Sequence, residues 1–192
     1  MAARYPELVQ VLQEKSLRRG HFVLTSGAIS SYYIDGKMTC MDPRGAMMIA
    51  QAIMREIADL PVDAVGGMDM GATPIVGAVA AVSQQAGRPM PVFVVRKEAK
   101  AHGTKKPIEG PFPAPPCKVV VVDDVVTTGG SIIKAIDAVE AAGGQVLLAI
   151  TVLDRDAGAR ETIEARGIKY QPLVTLQDLG LGNEERPKPA NA

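Results

Sequence analysis

With 192 residues, 47% of them hydrophobic, the chain suits one α/β domain that buries most of its apolar surface, and disorder is excluded. Its 21 basic and 21 acidic side chains cancel, which argues against a nucleic-acid-binding face. Cys40 and Cys117 stand far apart without histidines at ligand spacing, against a disulfide framework or a zinc site and in keeping with a reducing cytoplasm; no apolar run approaches the roughly 18 residues of a membrane span, nor does the N-terminus carry a signal peptide's apolar core.

The first predicted element is an amphipathic helix over 6–17, with Pro6 in its first turn. An extended region over 22–35 holds the paired Tyr32 and Tyr33. Asp42 and Pro43 offer an N-cap and first helical position for a helix reaching residue 58. A strand over 62–65 should end at Gly66 and Gly67, before a small-residue helix over 73–85. A buried-strand run over 92–95 leads into a basic segment. From 97 to 117 no strand or helix is expected; five prolines fill its second half, and a loop this long inside a compact domain points to a functional lid. A strand from 119, a helix over 130–142, a strand over 145–153, a helix over 157–165 and a strand over 168–175 complete the pattern. Residues 183–192 read as a frayed tail. Strands alternating with helices imply an α/β fold, a mainly parallel sheet flanked by helices, in one domain over 1–182. Ligands of such folds bind beyond the carboxyl ends of the strands, where Gly67, Arg96, Asp123 and Arg155 should lie.

The stretch 119–131 is the most specific. Four valines form a strand buried on both faces, and Asp123 and Asp124 stand where it should end. After Val125 and Val126 come Thr127, Thr128, Gly129, Gly130 and Ser131, opening a helix. Backbone N–H groups at such a turn suit a phosphate, and paired carboxylates accept hydrogen bonds from vicinal hydroxyls. A phosphorylated sugar satisfies both. A Walker-B reading of the acidic pair fails because the chain has no GxxxxGK[ST] loop.

This stretch resembles the phosphoribosyl-pyrophosphate (PRPP) motif of the type I phosphoribosyltransferases. The octet from Arg96 to Gly103 resembles the RKEAKxHG signature of orotate phosphoribosyltransferases, and Ser26-Gly27 with the run from Ser30 to Asp35 resembles their SGxxSxYYxD element. Leu153-Asp154-Arg155 matches their LDR element. The resemblance implies a small N-terminal hood over about 1–40, a mobile catalytic loop over about 97–117, Mg²⁺ held mainly by PRPP and water, and a homodimer with shared active sites. It assigns Asp123 and Asp124 to the ribose hydroxyls, or to Mg²⁺ through water, and the run from Val125 to Ser131 to the 5′-phosphate. Arg96, Lys97, Lys100 and His102 would surround the pyrophosphate, with Lys100 stabilising the leaving group. Arg155 would grip the orotate carboxylate, with Thr127, Tyr33 and Ile34 lining the base. From the residues alone, Arg155 could instead pair with Asp154 or Asp156, and the tyrosines could be core residues.

Two positions depart from the enteric-type pattern. Thr25 stands in place of a lysine, and Met68-Asp69-Met70-Gly71 replaces an Ala-Tyr-Lys-Gly turn, leaving the pyrophosphate pocket less basic. A transferase for another base should lack Arg155 and the octet. A PRPP-sensing regulator should carry a helix-turn-helix or a basic RNA-binding face, which this sequence does not show. At 192 residues, no fusion to the decarboxylase that follows this transferase in the pathway is expected.

Overall fold

A computed structural model describes residues 3–23, 29–97 and 107–182. Helix α1 (Pro6–Lys15) leads into a hairpin of β1 (Leu17–Val23) and β2 (Ile29–Ile34). The helix stops two residues before its expected end, and β1 begins five residues before the expected extended region. The strand's exposed Arg18, Arg19, Gly20 and His21 carry no alternation that would have announced it. A short helix α2 (Lys37–Cys40) follows, also unannounced, and then α3 (Pro43–Glu56). Asp42 caps α3 as expected, its Oδ1 accepting from the N–H groups of Arg44 and Gly45, both at 3.1 Å. Such a cap stabilises by about 1 kcal/mol.

The remaining elements are β3 (Ala64–Met68), α4 (Thr73–Gln85), β4 (Val92–Val95), β5 (Ile108–Glu109), β6 (Cys117–Val126), α5 (Gly130–Ala141), β7 (Gly144–Asp154), α6 (Ala159–Glu164) and β8 (Lys169–Thr175). They form a six-stranded sheet in the order β5-β4-β3-β6-β7-β8. Every pairing is parallel except β4 with β5. Three expectations are corrected. Strand β3 runs through its glycines, because a side chain at Gly67 would lie 2.1 Å from the Val122 carbonyl of the neighbouring strand. Strand β6 continues through Asp123 and Asp124 to Val126, paired to β7 as far as Asp154. The segment before Cys117 holds a strand: β5 pairs with the end of β4, and Phe112 meets Phe93 edge-on with centroids 5.0 Å apart.

The valine run of β6 divides between two cores. Val120 and Val122 face α1, α3 and α4, together with Ile53, Ile75 and Val79. Val119 and Val121 face α5 and α6, with Ile132, Ile136 and Ile163. Alternate residues of a strand point to opposite faces, so a strand covered on both sides needs an unbroken apolar run. Each buried valine contributes roughly 1.5–3 kcal/mol over an exposed one.

Candidate active site

Among the parallel strands alone, the spatial order is the second, first, third, fourth and fifth in sequence. The chain reverses direction between β3 and β6, and ligands of open α/β sheets bind beyond the carboxyl ends at that crevice. Asp123 and Asp124 stand on the β6 side and the turn from Met68 to Gly71 on the other.

Asp123 is 4% exposed. Its Oδ2 accepts from the Ser131 hydroxyl at 2.5 Å and its Oδ1 from the Asp124 N–H at 3.0 Å. Burial, together with the neighbouring Asp124 charge, pushes its pKa up to about 6, against the pull of Ser131. A carboxyl so poised accepts hydrogen bonds better once a ligand's donors replace the missing water. The backbone beneath it is fixed from β7: the buried Thr151 hydroxyl lies 3.4 and 3.3 Å from the Asp123 and Asp124 carbonyls, and 3.2 Å from that of Leu153. Sequence reasoning missed Thr151, although a lone hydroxyl within Leu147–Leu153 was the available signal.

The turn from Thr127 to Ser131 opens a helix as expected. Gly129 adopts φ 86°, a left-handed conformation that favours glycine, and α5 starts at the next residue. Thr127, Thr128 and Gly130 are exposed, Ser131 is half-buried beside Asp123, and Val125 and Val126 belong to β6. On the other wall, the Thr73 hydroxyl donates to Asp69 at 2.8 Å, and the peptide joining Asp69 to Met70 is cis. A side chain on Gly71 would fall 2.3 Å from Asp123 Oδ1, so this turn lies directly against the carboxylates.

A cavity of about 210 Å³ opens here, lined by Asp69, Met70, Lys97, Asp123, Asp124 and Ser131 among others. A larger one, about 400 Å³, lies beside Asp154, Asp156 and Glu161. Convergence of opposite charges at the switch point, rather than volume, marks the site. Arg96 follows β4 and turns to β5, its guanidinium 3.1 Å from Glu109. Lys100 and His102, with Thr25 and the Ser26-Gly27 pair, lie outside the described residues.

Arg155 follows β7, and its N–H donates to the Val126 carbonyl at 2.9 Å. Its guanidinium lies 5.9 Å from the ring centre of Tyr32, while the Asp154 carboxylate accepts from the Asp156 N–H at 2.9 Å. The paired tyrosines divide. Tyr32 is buried beneath Arg155, and Tyr33 is 44% exposed, 5.7 Å from Phe22. Ile34 is buried with Tyr32. Tyr32 was missed as the partner of Arg155, although the alternation of buried Ser30, Tyr32 and Ile34 along β2 would have placed it on the inner face.

These features define an α/β protein with an acidic pair and a glycine turn, suited to a phosphorylated sugar, at the switch point of its sheet and Arg155 beside them. A family model described as the phosphoribosyl transferase domain matches residues 43–169. The orotate phosphoribosyltransferase of Synechocystis sp. is 43% identical over 172 residues, covering 90% of this chain and 86% of that one. That of Bradyrhizobium sp. (strain BTAi1) is 39% identical over 180 residues, covering 92% and 97%. The Mycobacterium tuberculosis orotate phosphoribosyltransferase in complex with PRPP superposes with a TM-score of 0.79 at 36% identity, covering 92% of this chain and 99% of that one. Its complex with Fe(III) dicitrate gives 0.84 at 38%, with the same coverage. The chain belongs to the phosphoribosyl transferase family, among the orotate phosphoribosyltransferases.

Proposed function

We infer that the chain transfers the 5-phosphoribosyl group of PRPP to orotate, giving orotidine 5′-monophosphate and pyrophosphate on the route to UMP. The observation that carries this reading is the position of Arg155. Bonded through its N–H to the last residue of β6, it sets a fork suited to a carboxylate next to the turn suited to a phosphate.

In the reaction the bond from the anomeric carbon to pyrophosphate breaks, its electron pair leaving with the oxygen. A ring nitrogen of orotate supplies the pair for the new bond, and the proton it carried leaves with the departing pyrophosphate. Positive charge gathers on the ribose and negative charge on the leaving group, so the protein's work is placement and charge stabilisation. Asp123 and Asp124 accept from the ribose hydroxyls, while Thr127 to Ser131 hold the 5′-phosphate. Lys97 faces the pyrophosphate together with Arg96, Lys100 and His102. Thr127, Tyr33 and Ile34 border the base held by Arg155. The acidic pair is a set of hard oxygen donors that fits Mg²⁺ shared with substrate phosphates and water; among the described residues no larger His, Cys, Asp or Glu group could hold a metal. The ion would neutralise charge on the leaving pyrophosphate. Orotate consumption followed by absorbance, with PRPP and Mg²⁺ present, tests the assignment. No consumption, or equal use of uracil, overturns it.

A homodimer with shared sites belongs to the same proposal. It is supported by large apolar side chains left exposed, among them Tyr33, Met38, Met41, Met47 and Met70, of the kinds enriched at interfaces. Lys100→Ala and an Asp123→Asn/Asp124→Asn double variant should each be inactive, and mixing them should restore activity. A tagged pull-down verifies subunit exchange. Verified mixed dimers without regained activity would place Lys100 in its own subunit's site or in none.

A further inference from the structure

Lys37 carries no motif and follows directly on the hairpin, yet its side chain lines the same cavity as Asp123 and Asp124. Gly36 brings it there. A side chain on Gly36 would lie 2.6 Å from Val125 Cγ2 and 3.2 Å from Asp124 Oδ2, so the backbone carrying Lys37 presses against the acidic strand. Burial works against the Lys37 charge, but the Asp35 hydrogen bond and the Asp124 charge outweigh it and raise the ammonium's pKa.

The cavity's lining reaches Ser131 but not Thr127 to Gly130. The 5′-phosphate seated on that turn therefore lies outside it, and the cavity is left for the ribose hydroxyls at Asp123 and Asp124 and for the pyrophosphate beside them. Three carboxylates line it, Asp69, Asp123 and Asp124, against two described cations, Lys37 and Lys97. Met70 adds no charge from its loop, and Arg96 is turned to Glu109. Among the described residues those two lysines are the cations that a polyanion meets in this wall, beside the Arg96, Lys100 and His102 assigned to the same group. A bland role for Lys37, its 3.3 Å pair with Asp35, is an exposed contact with the lysine side chain 49% accessible, and exposed pairs hold little stability.

We propose that Lys37 is a substrate-contacting residue whose ammonium binds the pyrophosphate group of the phosphoribosyl donor, completing the cation set from the hairpin side of the cavity. This rests on the assignment of PRPP as donor. Calorimetric titration of PRPP with Mg²⁺ needs no acceptor and so separates the two. Lys37→Ala should weaken PRPP binding by about ten- to a hundredfold, the effect of one lost charged hydrogen bond. KM for orotate and the thermal midpoint should stay near wild type, and Lys37→Arg should recover most of the affinity. Asp35→Asn, which removes only the ion pair, should bind PRPP at least as tightly as wild type. PRPP affinity unchanged in Lys37→Ala, or an equal loss in Asp35→Asn, overturns the proposal. Wild-type protein that binds PRPP but does not consume orotate would overturn the acceptor assignment alone.

Discussion

Asp123→Asn should abolish most PRPP-dependent turnover while making the folded protein more stable at neutral pH. The carboxyl's ordinary value of 3.8 rises to about 6 in the fold, chiefly through burial. Between those values the folded state holds a proton that the unfolded chain has released, so stability falls as pH rises. The cost of ionised Asp123 is absent below about pH 4, complete above about pH 6, and worth about 3 kcal/mol there. Asparagine carries no such cost. Urea unfolding should therefore show Asp123→Asn gaining on wild type between pH 4 and pH 7, although its amide cannot accept from both Ser131 and the Asp124 N–H. The same titration should appear in the wild-type enzyme as a decline of kcat/KM for PRPP as pH drops through about 6. Asp124→Asn should also lose activity, by about 10- to 100-fold per charged hydrogen bond removed. A gain in stability with a loss of function is the pattern of a group kept for its chemistry. Full activity in both variants would make the pair structural.

Arg155→Leu should lower kcat/KM for orotate by one to two orders of magnitude, from the loss of a charged contact worth about 1.5–3 kcal/mol. PRPP binding should survive, since the turn and the acidic pair are held by β6 and α5. The fold should survive too. The half-buried guanidinium rests over Tyr32, and leucine covers the same ring. Steady-state kinetics with each substrate varied in turn separates the outcomes; near wild-type kcat/KM for orotate would remove the basis for assigning the acceptor.

The parts of this fold that were legible in the sequence are those whose burial repeats. The helix over Thr73–Gln85 was read to the residue, and α5 and β7 to within one residue at each end, because apolar spacing and flanking glycines both mark them. The turn from Thr127 to Ser131 was legible because paired glycines among hydroxyls, between an apolar run and a helical pattern, mark the opening of a helix. Strand β1 was not, since its outward polar face gives no period. Neither was β5, whose two residues are defined by a partner strand rather than by their own pattern. The end of β6 was misplaced because carboxylates look like a boundary, whereas here Asp123 occupies a ladder position opposite Thr151 and pairing runs on through Val125 and Val126. Tyr32, Thr151 and Lys37 act through neighbours distant in sequence, and only the folded chain brings those neighbours together.

The two-stranded hairpin is a sheet of its own, separate from the six-stranded one. The phosphoribosyl grip stands on the large sheet, at the centre of both cores. The wall beside the base stands on the hairpin, where the side chains at 29, 31 and 33 face outward. Arg155 on the large sheet and Lys37 beside the hairpin tie both substrates to both units, but the outward positions at 29, 31 and 33 belong to the hairpin alone. Evolution or a designer can vary those positions with little effect on folding, and so retouch the wall beside the base without disturbing the two cores.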